Sequence, residues 1–193
     1  MSEPKEFLNI YAEQTPNPET MKFVFNKMIL PDDAIDFPTR EKAQESPLAK
    51  SLFEFSFVNG VFIMNNFVTI TKSERFEWHD IIAQLKQQIK QYLEEEKPVI
   101  QVDLGGSLAP NADEPEIDRK IKEILNEYVR PAVESDGGFI GFHSFDKATG
   151  IVKVLLQGAC SGCPSSSITL KMGIENLLKR MIPDVQSVVA EGV

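Results

Sequence analysis

A segment rich in proline and glycine, residues 97–116, divides the chain into two parts. Within it stand Pro98, Gly105, Gly106, Pro110 and Pro115, and few large apolar residues follow Leu104. Proline and glycine at this density favour turns over helix or strand, and a chain of 193 residues is long enough for two small domains. We therefore predict a first domain at 1–97, a linker at 98–115 and a second domain at 116–193.

The first part has a mixed pattern of strands and helices. Apolar runs at 7–12 and 21–25 flank a proline turn at 15–19 and predict a β-hairpin. Two more strands are predicted at 61–64 and 67–71. Pro47 follows Ser46, which predicts a capped helix over 47–53. Apolar residues that recur every three or four positions predict a longer amphipathic helix over 78–96.

The second part shows the same mixture. The pattern predicts a helix over 117–130, where Pro131 kinks it or starts a second piece, and strands at 138–145, 151–157 and 185–190. A helix over 164–181 is expected to bury six apolar side chains: Ile168, Met172, Ile174, Leu177, Leu178 and Met181. We predict an α+β (α/β) fold of two small domains, each a small β-sheet packed with helices.

Composition indicates which partners and which cellular location to expect for this protein. A net charge of −9 repels phosphate backbones, so nucleic acid is not expected as a partner. No stretch reaches the roughly 18 uncharged apolar residues of a membrane helix, so no membrane partner is expected either. The acidic N-terminus does not resemble a signal or transit peptide, which leads us to expect a cytoplasmic protein.

The only two cysteines, Cys160 and Cys163, lie in one turn, GACSGCP over 158–164, between a predicted strand and a predicted helix. Pro164 suits a first helical turn, so the second cysteine should stand at the helix N-terminus, where backbone amides favour a thiolate. The two glycines of the turn remove side-chain bulk around both sulfurs. We expect an open, anionic site that faces solvent.

Other chemistry-bearing residues are not expected to be functional. His79 and His143, the only histidines, are interpreted as structural residues. The acidic pairs at 32–33 and 113–114 lie in turn-like or linker sequence, where solvated carboxylates are the ordinary outcome. We assign no catalytic residues.

Two thiolates per chain leave three uses open. Tetrahedral zinc and iron–sulfur clusters usually take about four protein ligands, which two chains related by a twofold axis could supply. A Cys-x-x-Cys pair after a strand also occurs in thiol–disulfide oxidoreductases, although no acidic or histidine base stands out beside this turn. An interaction protein held together by zinc is the third possibility.

The chain resembles the NifU-like (Nfu) iron–sulfur scaffold and carrier proteins over nearly its whole length. In the second part the similarity lies in PAV at 131–133, DGG at 136–138, VKV at 152–154, GACSGCPSS at 158–166, and the segments 169–175 and 182–183. In the first part it lies in TPNP at 15–18, MKF at 21–23, SPLA at 46–49, LF at 52–53 and FVTITK at 67–72, which resemble the N-terminal domain of one Nfu subgroup.

The resemblance implies a non-enzymatic carrier. It implies that Cys160 and Cys163 bind a labile 4Fe–4S cluster shared across a homodimer, with zinc or a 2Fe–2S cluster as other possible occupants. It further implies that the cluster passes to apo iron–sulfur target proteins after arriving from cluster-assembly donors, in the cytoplasm of a bacterium. The role of the first domain is not indicated.

Overall fold

The computed structural model describes residues 7–101, 115–161 and 164–192. Their contacts form two compact units, one made of 7–14 with 19–101, the other of 15–18 with 115–161 and 164–192. Each unit contains a β-sheet packed with helices. The predicted α+β fold class is thereby confirmed.

The first unit is a five-stranded antiparallel sheet in the order β1-β2-β5-β4-β3, with two α-helices. Its elements are β1 (Ile10–Gln14), β2 (Thr20–Phe25), β3 (Leu30–Phe37), a 3₁₀ turn (Lys42–Glu45), α1 (Pro47–Leu52), β4 (Val58–Asn65), β5 (Phe67–Lys72) and α2 (Trp78–Glu94). The predicted hairpin, the two later strands and both helices are confirmed, with ends shifted by a few residues.

Local chemistry explains where these elements begin and turn. The Ser46 hydroxyl oxygen accepts the backbone N–H of Ala49 at 3.0 Å, which caps the start of α1. Asn65 takes a positive φ of 45° and turns the chain from β4 into β5. Leu85 and Ile89 on the inner face of α2 are fully buried against the sheet residues of the first core.

One strand of this sheet was not predicted. β3 contains the acidic pair Asp32–Asp33, which the sequence had placed in a turn. The register between β3 and β4 shifts between Leu30 and Ala34, so the pair lies in the irregular part of the strand. β3 is an edge strand, where charged side chains and Pro31 are tolerated because one side of the backbone needs no partner strand.

The second unit has a three-stranded sheet in the order β6-β7-β8, with β6 and β7 antiparallel and β7 and β8 parallel. Its elements are α3 (Glu116–Ile124), a π-helical turn (Leu125–Val129), α4 (Arg130–Ser135), β6 (Gly138–Asp146), β7 (Ile151–Gly158), α5 (Pro164–Met181) and β8 (Ser187–Gly192). The predicted strands and the helix over 164–181 are confirmed.

Pro131 starts a second helical piece, one of the two outcomes that the sequence allowed. Proline has no N–H to donate to the carbonyl of Glu127, so the regular α-helical ladder cannot continue through it. The backbone widens into the π-helical turn just before this position, and α4 resumes with proline in its first turn.

The prediction for the buried face of α5 is wrong in part. Ile174 and Leu178 are buried in the second core, as expected, whereas Ile168, Met172 and Met181 are exposed. Ile168 and Met172 are centred about 120° around the helix from the two buried residues, so they face outward.

Residues 102–114, which hold most of the predicted linker and the acidic pair at 113–114, lie outside the described part of the chain. Among the helices that the structure describes, none has the length and apolar character needed to span a membrane.

Candidate functional site

The β6–β7 hairpin places Cys160. Val152, Val154 and Leu156 of β7 point into the second core, in the alternation expected of a strand. Gly158 ends the strand with a φ of 65°, a left-handed conformation that favours glycine. The chain therefore turns sharply at this residue, and Cys160 follows two positions later.

The glycine turn before β6 forms one wall of the site. Gly138 at the start of β6 pairs with Gly158 at the end of β7. Gly137 has a φ of 80°, and its carbonyl oxygen accepts the backbone N–H of Ala159 at 3.2 Å. A Cβ on Gly138 would lie 2.8 Å from Cys160 Sγ, far inside van der Waals contact. The sulfur therefore occupies space that only glycine at position 138 leaves open.

Cys160 is buried, with 9% of its surface exposed, and belongs to the hydrophobic core of the second unit. The expectation of an open site that faces solvent is therefore wrong for this cysteine. Gly138 leaves space for the sulfur, and strand β6 and the core surround it. Burial in an apolar core also removes water from the neighbourhood of the thiol.

Ser161 holds the turn in place. Its backbone N–H and its hydroxyl both donate to the carbonyl oxygen of Gly158, at 3.1 and 2.9 Å. Helix α5 begins at Pro164, where the sequence predicted a helix start. Gly162 and the second predicted ligand, Cys163, lie outside the described residues.

The two predicted structural histidines lie on elements other than the 158–161 turn. His79 lies on α2 with 78% of its side chain exposed and Nε2 3.2 Å from Asp80 Oδ1. His143 is exposed on β6, with Nδ1 3.2 Å from Ser144 Oγ. Within the described ranges no three His, Cys, Asp or Glu side chains gather as a metal site. Cys160 is the described residue whose soft sulfur suits iron or zinc.

A cation lies near the glycine wall but is already paired. The Arg130 guanidinium stands 4.8 Å from the centre of the Phe139 ring, directly after Gly138 in the chain. Arg130 Nε is 3.0 Å from Glu134 Oε1 one helical turn along. The arrangement steadies the start of β6 through a cation–π contact and a local ion pair.

Sequence analysis did not include residues 136–138 in the site. The sequence identified 136–138 as a turn but not as a neighbour of Cys160. Counting residues outward from the hairpin loop at 147–150 would have paired the beginning of β6 with the end of β7. That pairing follows from antiparallel geometry alone.

Comparison with known proteins decides the family. Residues 10–96 match the family model for the scaffold protein Nfu/NifU N-terminal domain, and residues 121–189 match the model for the NifU-like domain. The chain is 38% identical over 192 residues to NifU-like protein 5, mitochondrial, from Arabidopsis thaliana, covering 98% of this chain and 70% of that protein. The chain belongs to the Nfu/NifU family.

Another Nfu relative supports this membership and bears on location. The protein named NFU1 iron-sulfur cluster scaffold homolog, mitochondrial, from Homo sapiens is 37% identical over 186 residues, covering 96% of this chain and 72% of that protein. Both relatives are named mitochondrial. These names contradict the expected cytoplasmic location, which rested on the composition of the N-terminus and on the family resemblance.

Proposed function

We propose that this Nfu-family protein is an iron–sulfur cluster carrier that holds a 4Fe–4S cluster through Cys160 and Cys163 and passes it to apo target proteins. The observation that carries the proposal is the position of Cys160, a soft ligand seated against Gly138 at a strand end and followed by a helix start. Family membership supports a scaffold role.

The number of ligands favours two copies of the chain. A 4Fe–4S cluster held by cysteines takes four thiolates, and the sequence contains only two cysteines. Two copies would supply the full set at a shared site. During transfer, each Fe–S bond to the carrier would be replaced by one to a recipient cysteine thiolate, so no electrons are gained or lost.

The partners in this proposal are apo iron–sulfur proteins as recipients and cluster-assembly proteins as donors. The mitochondrial names of the relatives favour a mitochondrial place of action. We also propose the division into domains at 1–97 and 116–193 with a linker at 98–115, which the two matched family models at 10–96 and 121–189 support. Ligand exchange needs no catalytic residue, and we propose none.

The test is anaerobic reconstitution of the full chain with ferrous iron and sulfide, followed by iron and sulfide analysis and sedimentation. About two irons and two sulfides per chain in a dimer are expected from a shared 4Fe–4S cluster. Cys160→Ser and Cys163→Ser should each abolish loading, since serine oxygen is a harder donor. Full loading of either variant would refute the ligand assignment.

The same experiment distinguishes the proposed carrier from the two other uses of the cysteines. A colourless dimer with about one zinc per two chains would indicate a zinc-bridged interaction protein. A metal-free monomer that turns over in a disulfide-reduction assay would indicate an oxidoreductase. Transfer is checked by mixing the loaded protein with an apo ferredoxin and following cluster appearance in the ferredoxin after separation.

A further inference from the structure

The outward side of α5 carries no charge from Ile168 to Asn176, and the exposed Lys179 and Arg180 follow on the same arc one turn later. Ile168 and Met172 are 60% and 61% exposed, and three uncharged neighbours complete the same arc of the helix. We call these five residues the uncharged face: Ile168, Thr169, Met172, Gly173 and Asn176. At 100° per residue they span about 140° of the helix circumference.

An exposed helix face of this composition is unusual in a soluble protein, where the outer face is normally charged or polar. Helix α3 of the same unit shows the ordinary pattern, because its exposed residues are all charged: Glu116, Arg119, Lys120 and Glu123. Depletion of charge around exposed apolar side chains is the compositional signature of a protein interface.

Glu175, an acidic neighbour of the uncharged face, does not cover it. The side chain of Glu175 is turned away toward the sheet, where Oε2 accepts the backbone N–H of Val188 at 3.0 Å and Oε1 accepts from Lys179 Nζ at 2.7 Å. A Cβ built on Gly173 meets nothing within 4 Å. Another helix can therefore approach this backbone closely, as packed helices do at 8–10 Å between axes.

We infer that the uncharged face is the surface on which a second copy of this chain docks when the cluster is bound; the inference rests on the proposed function. Two chains of net charge −9 repel each other wherever charged surfaces meet. A face without charge can meet its own copy around a twofold axis without that repulsion. A strongly charged partner protein would instead call for a complementary charge here.

The face is also continuous with the proposed cluster site. Ile168 is only five residues after Cys163, so a twofold contact at the beginning of α5 would bring both cysteine pairs toward the same axis. A contact of one helix face is well below the roughly 1,200–2,000 Å² of a stable protein interface. The dimer is therefore weak without the cluster, and the shared thiolate–iron bonds hold it together.

The test compares Met172→Asp with Met28→Asp in the full chain. Met28 is a matched control because it is also an exposed methionine, at 56%, and lies in the other unit. After anaerobic reconstitution with ferrous iron and sulfide, sedimentation should show wild type and Met28→Asp as cluster-bound dimers. Met172→Asp should dimerise at least tenfold more weakly and hold less iron, since two carboxylates would face each other.

A charge-swap experiment tests whether a second copy of this chain docks on the uncharged face. Met172→Lys alone should also dimerise weakly, whereas an equimolar mixture with Met172→Asp should restore a cluster-bound dimer if the two faces meet. A dimer of wild-type strength in Met172→Asp would overturn the docking face and leave the proposed function standing. A Met172→Asp dimer of wild-type strength with full iron that no longer passes its cluster to apo ferredoxin would assign the face to the recipient instead. If wild type itself binds no cluster, the proposed function fails first and this inference falls with it.

Discussion

Gly138→Ala is the substitution whose effect follows most directly from the geometry of the site. The new Cβ would stand 2.8 Å from both Cys160 Sγ and the carbonyl oxygen of Gln157, and 3.3 Å from Cys160 Cβ. Carbon atoms in contact prefer about 3.5–4.0 Å, so either the sulfur or the β7 backbone has to move. Gly138 does not have a positive φ, unlike Gly137 and Gly158, and the obstacle is therefore space and not conformation.

The expected change in stability of Gly138→Ala combines two opposing effects. Overfilling a packed site costs about 1–3 kcal/mol, and replacing glycine by alanine returns about 0.4–1 kcal/mol by restricting the unfolded chain. A net loss of about 1–2 kcal/mol is expected for the second unit. For a domain of this size, each kcal/mol lowers the Tm by about 4–8 °C. The displaced sulfur should also reduce the iron bound per chain after reconstitution.

Hydrogen exchange in the full chain measures the stability loss where it should occur, in peptides from β6 and β7. Gly141→Ala is the matched control on the same strand, since its Cβ meets only side-chain atoms, the closest being Phe139 Cε1 at 3.1 Å. Fluorescence of Trp78, the single tryptophan, reports the first unit and should not change. Wild-type exchange and wild-type iron content in Gly138→Ala would refute the reasoning.

Three further predictions concern stability. Leu178→Ala empties a fully buried position on α5 and should cost about 2–5 kcal/mol in denaturant unfolding. Ser46→Ala removes the fully buried hydroxyl that accepts the Ala49 N–H at the start of α1 and should destabilise the helix by about 1–2 kcal/mol. Faster hydrogen exchange in α1 would measure this loss. Hydrogen bonds from Lys179 and, to a smaller extent, from the Val188 N–H lower the pKa of Glu175 below its ordinary value of 4.5. The stabilisation from this carboxylate is therefore present above pH 4.5 and is lost as the pH falls through the lowered value. Glu175→Gln should therefore be less stable than wild type at pH 7, and the difference in urea unfolding should shrink in acid.

Local signals predicted most of the regular structure. The cap at Ser46, the three- and four-residue spacing in α2 and the alternation in β7 each depend on residues close together in sequence. These local preferences agree with the final fold, because the tertiary contacts are compatible with the same secondary structure. The extra strand β3 was missed because its acidic pair resembles a turn, and an edge position is what makes that composition acceptable in a sheet.

The two errors about the second unit have a common cause. Cys160 lies in a turn rich in glycine and serine, which suggested an exposed site, yet Gly138, 22 positions earlier in the chain, packs against its sulfur. On α5, apolar residues occur on two sides of the helix, and spacing alone does not say which side faces the sheet. Both questions are settled by contacts between distant parts of the sequence, which periodicity does not contain.

Burial of Cys160 changes how cluster release should proceed under the proposed function. A recipient thiolate would have to reach an iron atom from a side that the chain leaves open, and β6 and the core fill the space around Cys160 Sγ. Attack therefore has to begin at an iron atom held by another ligand, with Cys160 as one of the last bonds to break. A carrier built in this way retains its cargo until several recipient ligands are already in place.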